Sequence, residues 1–349
     1  MKGHGMLGID GKRWRMRAAL GWTLTGVLLL GCAEREGTLE GERLGDRRMR
    51  IELVERYEFV GAVLENEDLS GLAFASARYG LLGADEARAV QVVELAREAK
   101  RLKIVRTIPL LDSGEEIDVE GVAAGPEAYY VTGSHGISKK RGEHQENRFR
   151  IFRLRADPAT GLPIEGGSAD MSSLAGILQA DPTLGEHFGR PLQQRGINIE
   201  GLAARDGRLF VGFRSPNLDG DAFVMEVAAD EVFEAGPEPE YTLHRLHVGE
   251  GLGIREIVAA REGFLLIAGN AGSEPSATFT AAQDYDEDRD FFLYRWDGAG
   301  RDVVRIGPIP DPPGKAEAMA ILEETPDYVL VLILFDGPAR GRPSVYRIS

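Results

Sequence analysis

Three observations predict an all-β fold, a β-propeller. The first is repetition. Residues 118–135, DVEGVAAGPEAYYVTGSH, recur as residues 198–215, NIEGLAARDGRLFVGFRS, with Glu120 on Glu200, Gly121 on Gly201 and Val131 on Val211. Looser copies span residues 69–83, 254–269 and 316–335; five copies of one unit mean a repeat architecture. The second is the content of each unit: about four short apolar runs separated by Gly, Asp and Pro turns, at spacings of about 50–60 residues. The third is closure. The last unit is one strand short, while RIELVERYEFV at residues 50–60 is left over at the other end. An N-terminal strand completing the last blade is how a propeller closes its ring. Five four-stranded blades follow, or six if the long second unit hides another.

Taken in order, the chain begins with a segment that is not part of that fold. Lys12, Arg13, Arg15 and Arg17 precede an apolar run over residues 18–30, followed by Gly31 and Cys32. Basic, then apolar, then small is a signal peptide over residues 1–31; the run falls short of the ~20 residues that span a bilayer. Residues 1–15 read as an upstream start, since Met16 opens a complete signal by itself. The segment around Cys32, the only cysteine, resembles a bacterial lipobox. That resemblance implies cleavage before Cys32, its acylation, and a lasting membrane anchor. Ala33 in place of a retaining aspartate points to the outer membrane, facing the periplasm or the cell surface. Residues 32–48 are then the lipidated cysteine and its tether, and residues 49–349 the propeller.

The composition, 43% hydrophobic and 28% charged, is that of a globular protein. Residues 1–31 carry five Lys or Arg and one Asp, so their removal takes the formal charge from −15 to −19. So acidic a chain does not bind nucleic acid through its general field. No intramolecular disulfide is available to it, so core packing must stabilise the domain.

The first unit supplies SGLAF, YGLLGA, AVQVVEL and LKIVRTI; the second EGVAA, AYYVTG and RFRIFRLR, with a fourth run that cannot be placed. The third supplies EGLAA, RLFVGF, AFVMEV and YTLHRLHV; the fourth REIVAA, GFLLIAG, FFLYRW and DVVRIG; the last EAMAIL, YVLVLILF and SVYRIS. An insertion at residues 166–196 interrupts the pattern. Its stretch 170–179, DMSSLAGILQ, has helical apolar spacing after an Asp suited to capping, and predicts a short helix outside the ring. This insertion is the natural place for a protein partner.

Two groups of residues could carry chemistry. Glu120, Glu200, Glu256 and Glu317 align at the opening of the first strand of their units, where the first unit has Ser70. That strand is innermost in a propeller, so the carboxylates would converge at one channel mouth and raise one another's pKa unless offset. Calcium, taking six to eight oxygen ligands, is one answer. Backbone amides of the next blade, with Arg255 or Lys315, are the structural alternative. The second group lies in residues 134–150, SHGISKKRGEHQENRFR: His135, Lys139, Lys140, Arg141, His144, Arg148 and Arg150. With Arg214 at an equivalent strand end it could hold a phosphate, sulfate or carboxylate; the alternative is a solvated hairpin. The acidic run 284–290, DYDEDRD, lacks the glycine and closing glutamate of an EF-hand loop and reads as a hairpin, as does NLDGD at 217–221. No G-x-S-x-G, H-E-x-x-H, C-x-x-C, P-loop or dinucleotide fingerprint is present.

With EGVA, YYVTGSH, NIEGLA, GFRSP and the late EAMA on the page, the chain from about residue 68 onward resembles the bacterial domain-of-unknown-function family 3616. More distantly, the EG-[VL]-A repeat is similar to that of propellers grouped with phytase-like esterases. That similarity implies calcium at Glu120, Glu200 and Glu317 and an anion at His135, Arg148, Arg214 and Arg255. The expectation is a lipid-anchored binding protein for a small anionic or phosphorylated ligand, assisted by calcium, with Lys139 and Lys315 beside those four residues. A metal-assisted phosphate or carboxylic ester hydrolase and a protein-interaction scaffold remain open.

Overall fold

The computed structural model describes residues 49–112, 114, 116–234 and 239–349. Cys32, the signal peptide and the tether lie outside the described residues. The chain enters with β1 (Ile51–Arg56) and β2 (Glu58–Val60). The first blade is β3 (Leu69–Phe74), β4 (Tyr79–Ala84), β5 (Ala89–Ala96) and β6 (Arg101–Pro109). The second is β7 (Val119–Ala124), β8 (Ala128–Gly133), β9 (Ile151–Arg155) and β10 (Asp170–Ser172). The third is β11 (Asn198–Arg205), β12 (Arg208–Leu218), β13 (Asp221–Ala228) and β14 (Tyr241–His247). The fourth is β15 (Leu252–Ala259), β16 (Phe264–Asn270), β17 (Phe292–Trp296) and β18 (Val303–Pro308), and the last is β19 (Lys315–Glu324), β20 (Val329–Asp336) and β21 (Ser344–Ile348). Short helices α1 (Ala175–Ala180) and α2 (Ala229–Phe233) complete the inventory of helices longer than a 3-10 turn among the described residues.

The protein is thus a five-bladed β-propeller. Closure differs from expectation in one respect. The N-terminal run serves two blades rather than one: β1 pairs antiparallel with β21, Ile51 opposite Ile348, whereas β2 pairs parallel with β6 and gives the first blade a fifth strand. Tyr57 between them turns inward, buried, so one short run ties the first and last blades together.

Each blade is buried on both faces, which explains apolar runs such as VLVLILF. In β20, Val331, Ile333 and Phe335 pack toward the fourth blade, while Leu332 and Leu334 pack toward the first. Strand alternation sends successive side chains to opposite faces, and every seam between neighbouring blades has its own buried cluster. Replacing any of these leucines by alanine costs about 2–5 kcal/mol.

The insertion departs from its predicted form. Asp170 does not cap a helix; it lies in β10, whose pairing with β9 supplies the fourth strand missing from the second blade, and its carboxylate accepts a hydrogen bond from Arg153 at 3.0 Å. An unpaired β9 edge would leave backbone groups without partners. The helix starts only at Ala175, and Leu174, Ile177 and Leu178 drop into the cluster joining the second and third blades. It is thus part of a seam and not an appendage. The NLDGD turn is a tight hairpin, with Leu218 opposite Asp221 and positive φ at Asp219 and Gly220, as a type I′ turn requires.

Candidate functional site

The site begins with a defect repeated five times. In each innermost strand the pairing ladder steps over one residue: Ser70, Glu120, Glu200, Arg255 and Glu317. A bulge of this kind re-aims the side chain it carries. Two residues further on, Leu72, Val122, Leu202, Ile257 and Met319 line a small apolar chamber of about 140 Å³ in the channel. The five bulged residues form the layer above it.

This register corrects the sequence alignment. Matching acid to acid put Glu256 beside Glu120, Glu200 and Glu317, but the residue at that level in the fourth blade is Arg255. Glu256 falls one position later, where the other blades have Gly71, Gly121, Gly201 and Ala318. That position faces the next blade closely: a Cβ on Gly121 would lie 2.8 Å from Leu202 Cβ. Glu256 is fully buried there, and its carboxylate accepts hydrogen bonds from the backbone N–H of Ile257 at 2.8 Å and of Met319 in the last blade at 3.4 Å. Burial pushes its pKa well up, and these amides act the other way. It is a strut between blades. A one-residue slip changes the face a strand residue presents; the pattern small–apolar–small, read in place of the glutamate, gives the register.

Arg255 holds its two neighbours in the ring. Its Nε lies 2.6 Å from Glu200 and 3.1 Å from Glu317, and Nη2 makes a second contact with Glu317. Arg214 adds a bond from Nη1 to Glu200 at 2.9 Å, while its Nε and Nη2 donate to the carbonyls of Asn270 at 3.0 Å and Gly272 at 2.7 Å. The result is a buried chain, Arg214–Glu200–Arg255–Glu317. Burial works against the Arg255 charge, and the two carboxylates more than offset it, holding its pKa above the ordinary value. Burial still pushes Glu317 up to about 7 against the opposing field of Arg255. Glu200 and Glu317 are therefore committed to arginines, and the glutamate ring as a whole does not fit a calcium site. Arg214 and Arg255, expected to hold an anion, have their guanidinium groups engaged internally, and Arg255 is 3% exposed.

Above this layer opens a polar cavity of about 470 Å³. Two further rings of equivalent positions shape it. The residue opening each inner strand is Asp68, Asp118, Asn198, Gly253 or Lys315, and the residue past the equivalent point of each second strand is Asp85, Ser134, Arg214, Gly269 or Asp336. The last blade neutralises itself through Lys315 and Asp336, 2.9 Å apart. The first two blades do not. Oxygens of Asp85, Asp118 and Glu120 all lie within 4.8 Å of one another. Arg148, placed by a 3-10 turn at Glu146–Phe149, donates to Asp118 at 2.8 Å and also to Glu116. Among the described residues, no Lys or Arg lies within ion-pair distance of Asp85 or Glu120. Burial first, and neighbouring carboxylates second, raise both well above the usual carboxylate range, with the more distant Lys139 and Arg148 acting the other way on Asp85.

The basic loop divides into residues with different partners. His135 is fully buried and neutral: burial lowers its pKa to about 4, its Nδ1 lies 3.1 Å from the Gly133 carbonyl, and Nε2 accepts from the Leu174 N–H at 3.1 Å. It pins the start of α1 to the second blade and is no ligand for an anion. Arg148 is held by Asp118 and Glu116. Arg141 pairs with Glu143 at 3.4 Å. Lys139, partly buried on the cavity wall, has no ion-pair partner among the described residues. Its carbonyl accepts a bond from Gln193 at 3.1 Å, and the same amide reaches Glu274 O at 3.1 Å, so the insertion clamps the loop over the mouth. Sequence reasoning missed Asp85 and the part played by Asp118. Their signal was positional, acids flanking the same strands as Glu120.

The chain belongs to the family described as "Protein of unknown function (DUF3616)", matched over residues 68–160 and 160–346. Solved structures are similar to the chain at low identity and low TM-score. The major Malassezia sympodialis allergen Mala s 1 is 11% identical, with 80% of this chain and 78% of that one covered and a TM-score of 0.40. Virginiamycin B lyase from Staphylococcus aureus is 9% identical, with 86% and 99% covered and a TM-score of 0.38. The tail fiber of Staphylococcus aureus phage P68 is 8% identical, with 86% and 52% covered and a TM-score of 0.43. No match was found among curated proteins.

Proposed function

We propose that this protein is an exported propeller, anchored by lipid on Cys32, that binds a small anionic ligand in the polar mouth of its channel. One observation carries the reading. Every arginine facing the mouth is already bonded to an acid or a carbonyl, whereas Lys139 stands on the wall of a 470 Å³ cavity with no carboxylate within ion-pair distance among the described residues, Asp85 and Glu274 feeling its charge from further off. A lysine ammonium is a point charge with three donors, suited to a phosphate or carboxylate oxygen. Lys315 lines the same cavity, and its bond to Asp336 leaves two N–H donors for the same ligand. The covalent anchor keeps the cavity in the cell envelope.

The test is calorimetric titration of the purified protein with inorganic phosphate in chelator. Binding that weakens about tenfold or more in Lys139→Ala supports the reading, since a hydrogen bond to a charged group contributes about 1.5–3 kcal/mol. Equal affinity in the two proteins sinks it. Mass spectrometry of the N-terminal peptide checks the anchor, which requires a lipid mass on Cys32.

A further inference from the structure

We propose that Asp85, Asp118 and Glu120, together with Asn198, form a binding site for a hard divalent cation of the calcium or magnesium class. The geometry is the first support. Three carboxylates from two adjacent blades bring oxygens within 4.8 Å of one another at the wall of the mouth, and only Asp118 has an arginine. Each other acid at the equivalent positions of the last three blades has a basic partner: Glu200 has Arg214 and Arg255, Glu317 has Arg255, and Asp336 has Lys315. The acids at these positions in the last three blades are thus paired, whereas Asp68, Asp85 and Glu120 of the first two have no ion-pair partner among the described residues, and of these Asp85 and Glu120 converge with Asp118.

Asn198 is the second, independent support. It occupies in the third blade the position Asp118 holds in the second, is 8% exposed, lines the same cavity, and its Oδ1 accepts no hydrogen bond. A buried amide oxygen with no donor costs about 1–3 kcal/mol if nothing meets it, and a cation would meet it. The ligand set, carboxylates and an amide with no nitrogen or sulfur, selects a hard ion over zinc or copper. Four such residues leave coordination positions open toward the cavity, where Lys139 stands. An anion there would bridge the cation and the ammonium. The bridge rests on the anion-binding reading; the cation site does not.

The experiment is calorimetric titration of calcium chloride, and separately of magnesium chloride, into purified chelator-treated protein in phosphate-free buffer. One ion per chain is expected, with affinity lowered tenfold or more in Glu120→Gln and in Asp85→Asn, and unchanged in Glu262→Gln, which alters an exposed acid outside this cavity. Far-UV circular dichroism establishes that each variant is folded, and Asn198→Ala provides an uncharged second check. If the folded wild type binds neither ion, or if Glu120→Gln and Asp85→Asn both bind as it does, the site is refuted. Phosphate binding without metal binding would refute the cation site and leave the anion reading standing; metal binding without phosphate binding would do the reverse.

Discussion

The mouth of the channel has two walls built from the same three positions per blade. In the third to fifth blades those positions hold Glu200, Arg214, Arg255, Glu317, Lys315 and Asp336, and each charge meets an opposite one. In the first two blades they hold Asp68, Asp85, Asp118 and Glu120, and of these only Asp118 is paired, with Arg148, which it shares with Glu116. Fivefold repetition fixes where side chains go, while their identities fix whether they stabilise the ring or remain available to a ligand. A charge with a buried partner is structural; Asp85 and Glu120, sharing a wall without one, are where the proposed cation would sit.

Breaking the paired wall should produce the largest effect. Arg255→Ala leaves Glu200 and Glu317 buried, with only Arg214 remaining on Glu200. Removing one partner of a buried pair costs about 3–5 kcal/mol. Urea denaturation should show a midpoint lowered in proportion with the slope retained. A loss below about 1 kcal/mol would mean that the arginine ring is dispensable and that the two walls do not differ.

The sequence made the repeat, the number of blades and the closing strand legible, because each rests on periodicity, and periodicity survives an error of one residue. The site was less legible because it depends on that residue. Glu256 and Arg255 are adjacent, both polar, and either could be matched with Glu200; only the bulge, and the lack of space at the position of Gly201, assign them. Asp85 and Glu120 lie in different blades, and a loop and two strands separate them in sequence. The fourth strand of the second blade escaped notice because three residues, Asp170–Ser172, carry no strand periodicity of their own.

A middle-sized effect is expected behind the acidic wall. His135 follows Ser134, and its ring joins Gly133 to Leu174. His135→Phe leaves the buried Leu174 N–H without an acceptor, at a cost of about 1–3 kcal/mol. Its folded pKa of about 4 lies below the ordinary 6.5, so the folded state binds fewer protons between those values. The stability it contributes is complete above pH 6.5 and is lost as pH falls toward 4. The variant should lose less stability than wild type between pH 6.5 and 4 in thermal melts. An unchanged acid slope would return His135 to the list of ligand residues.

The smallest expected change is also the sharpest, because its sign is opposite. Glu120→Gln keeps the shape of the side chain and removes a charge that Glu200, Asp85 and Asp118 all repel. In chelator at pH 7 the variant should equal wild type in stability or exceed it by about 1 kcal/mol, in contrast to Arg255→Ala. The wild-type glutamate has a folded pKa raised above 4.5, so over the window above 4.5 the folded state holds more protons than the unfolded one. Stability therefore falls as pH rises through that window, and Glu120→Gln should flatten the fall. Saturating calcium should reverse the order, since ligand at 100 times its Kd stabilises by about 2.7 kcal/mol and the variant binds it poorly. If Glu120→Gln is instead destabilised in chelator by several kcal/mol, as expected for loss of a buried ion pair, Glu120 belongs to the paired wall and the division between the two walls fails.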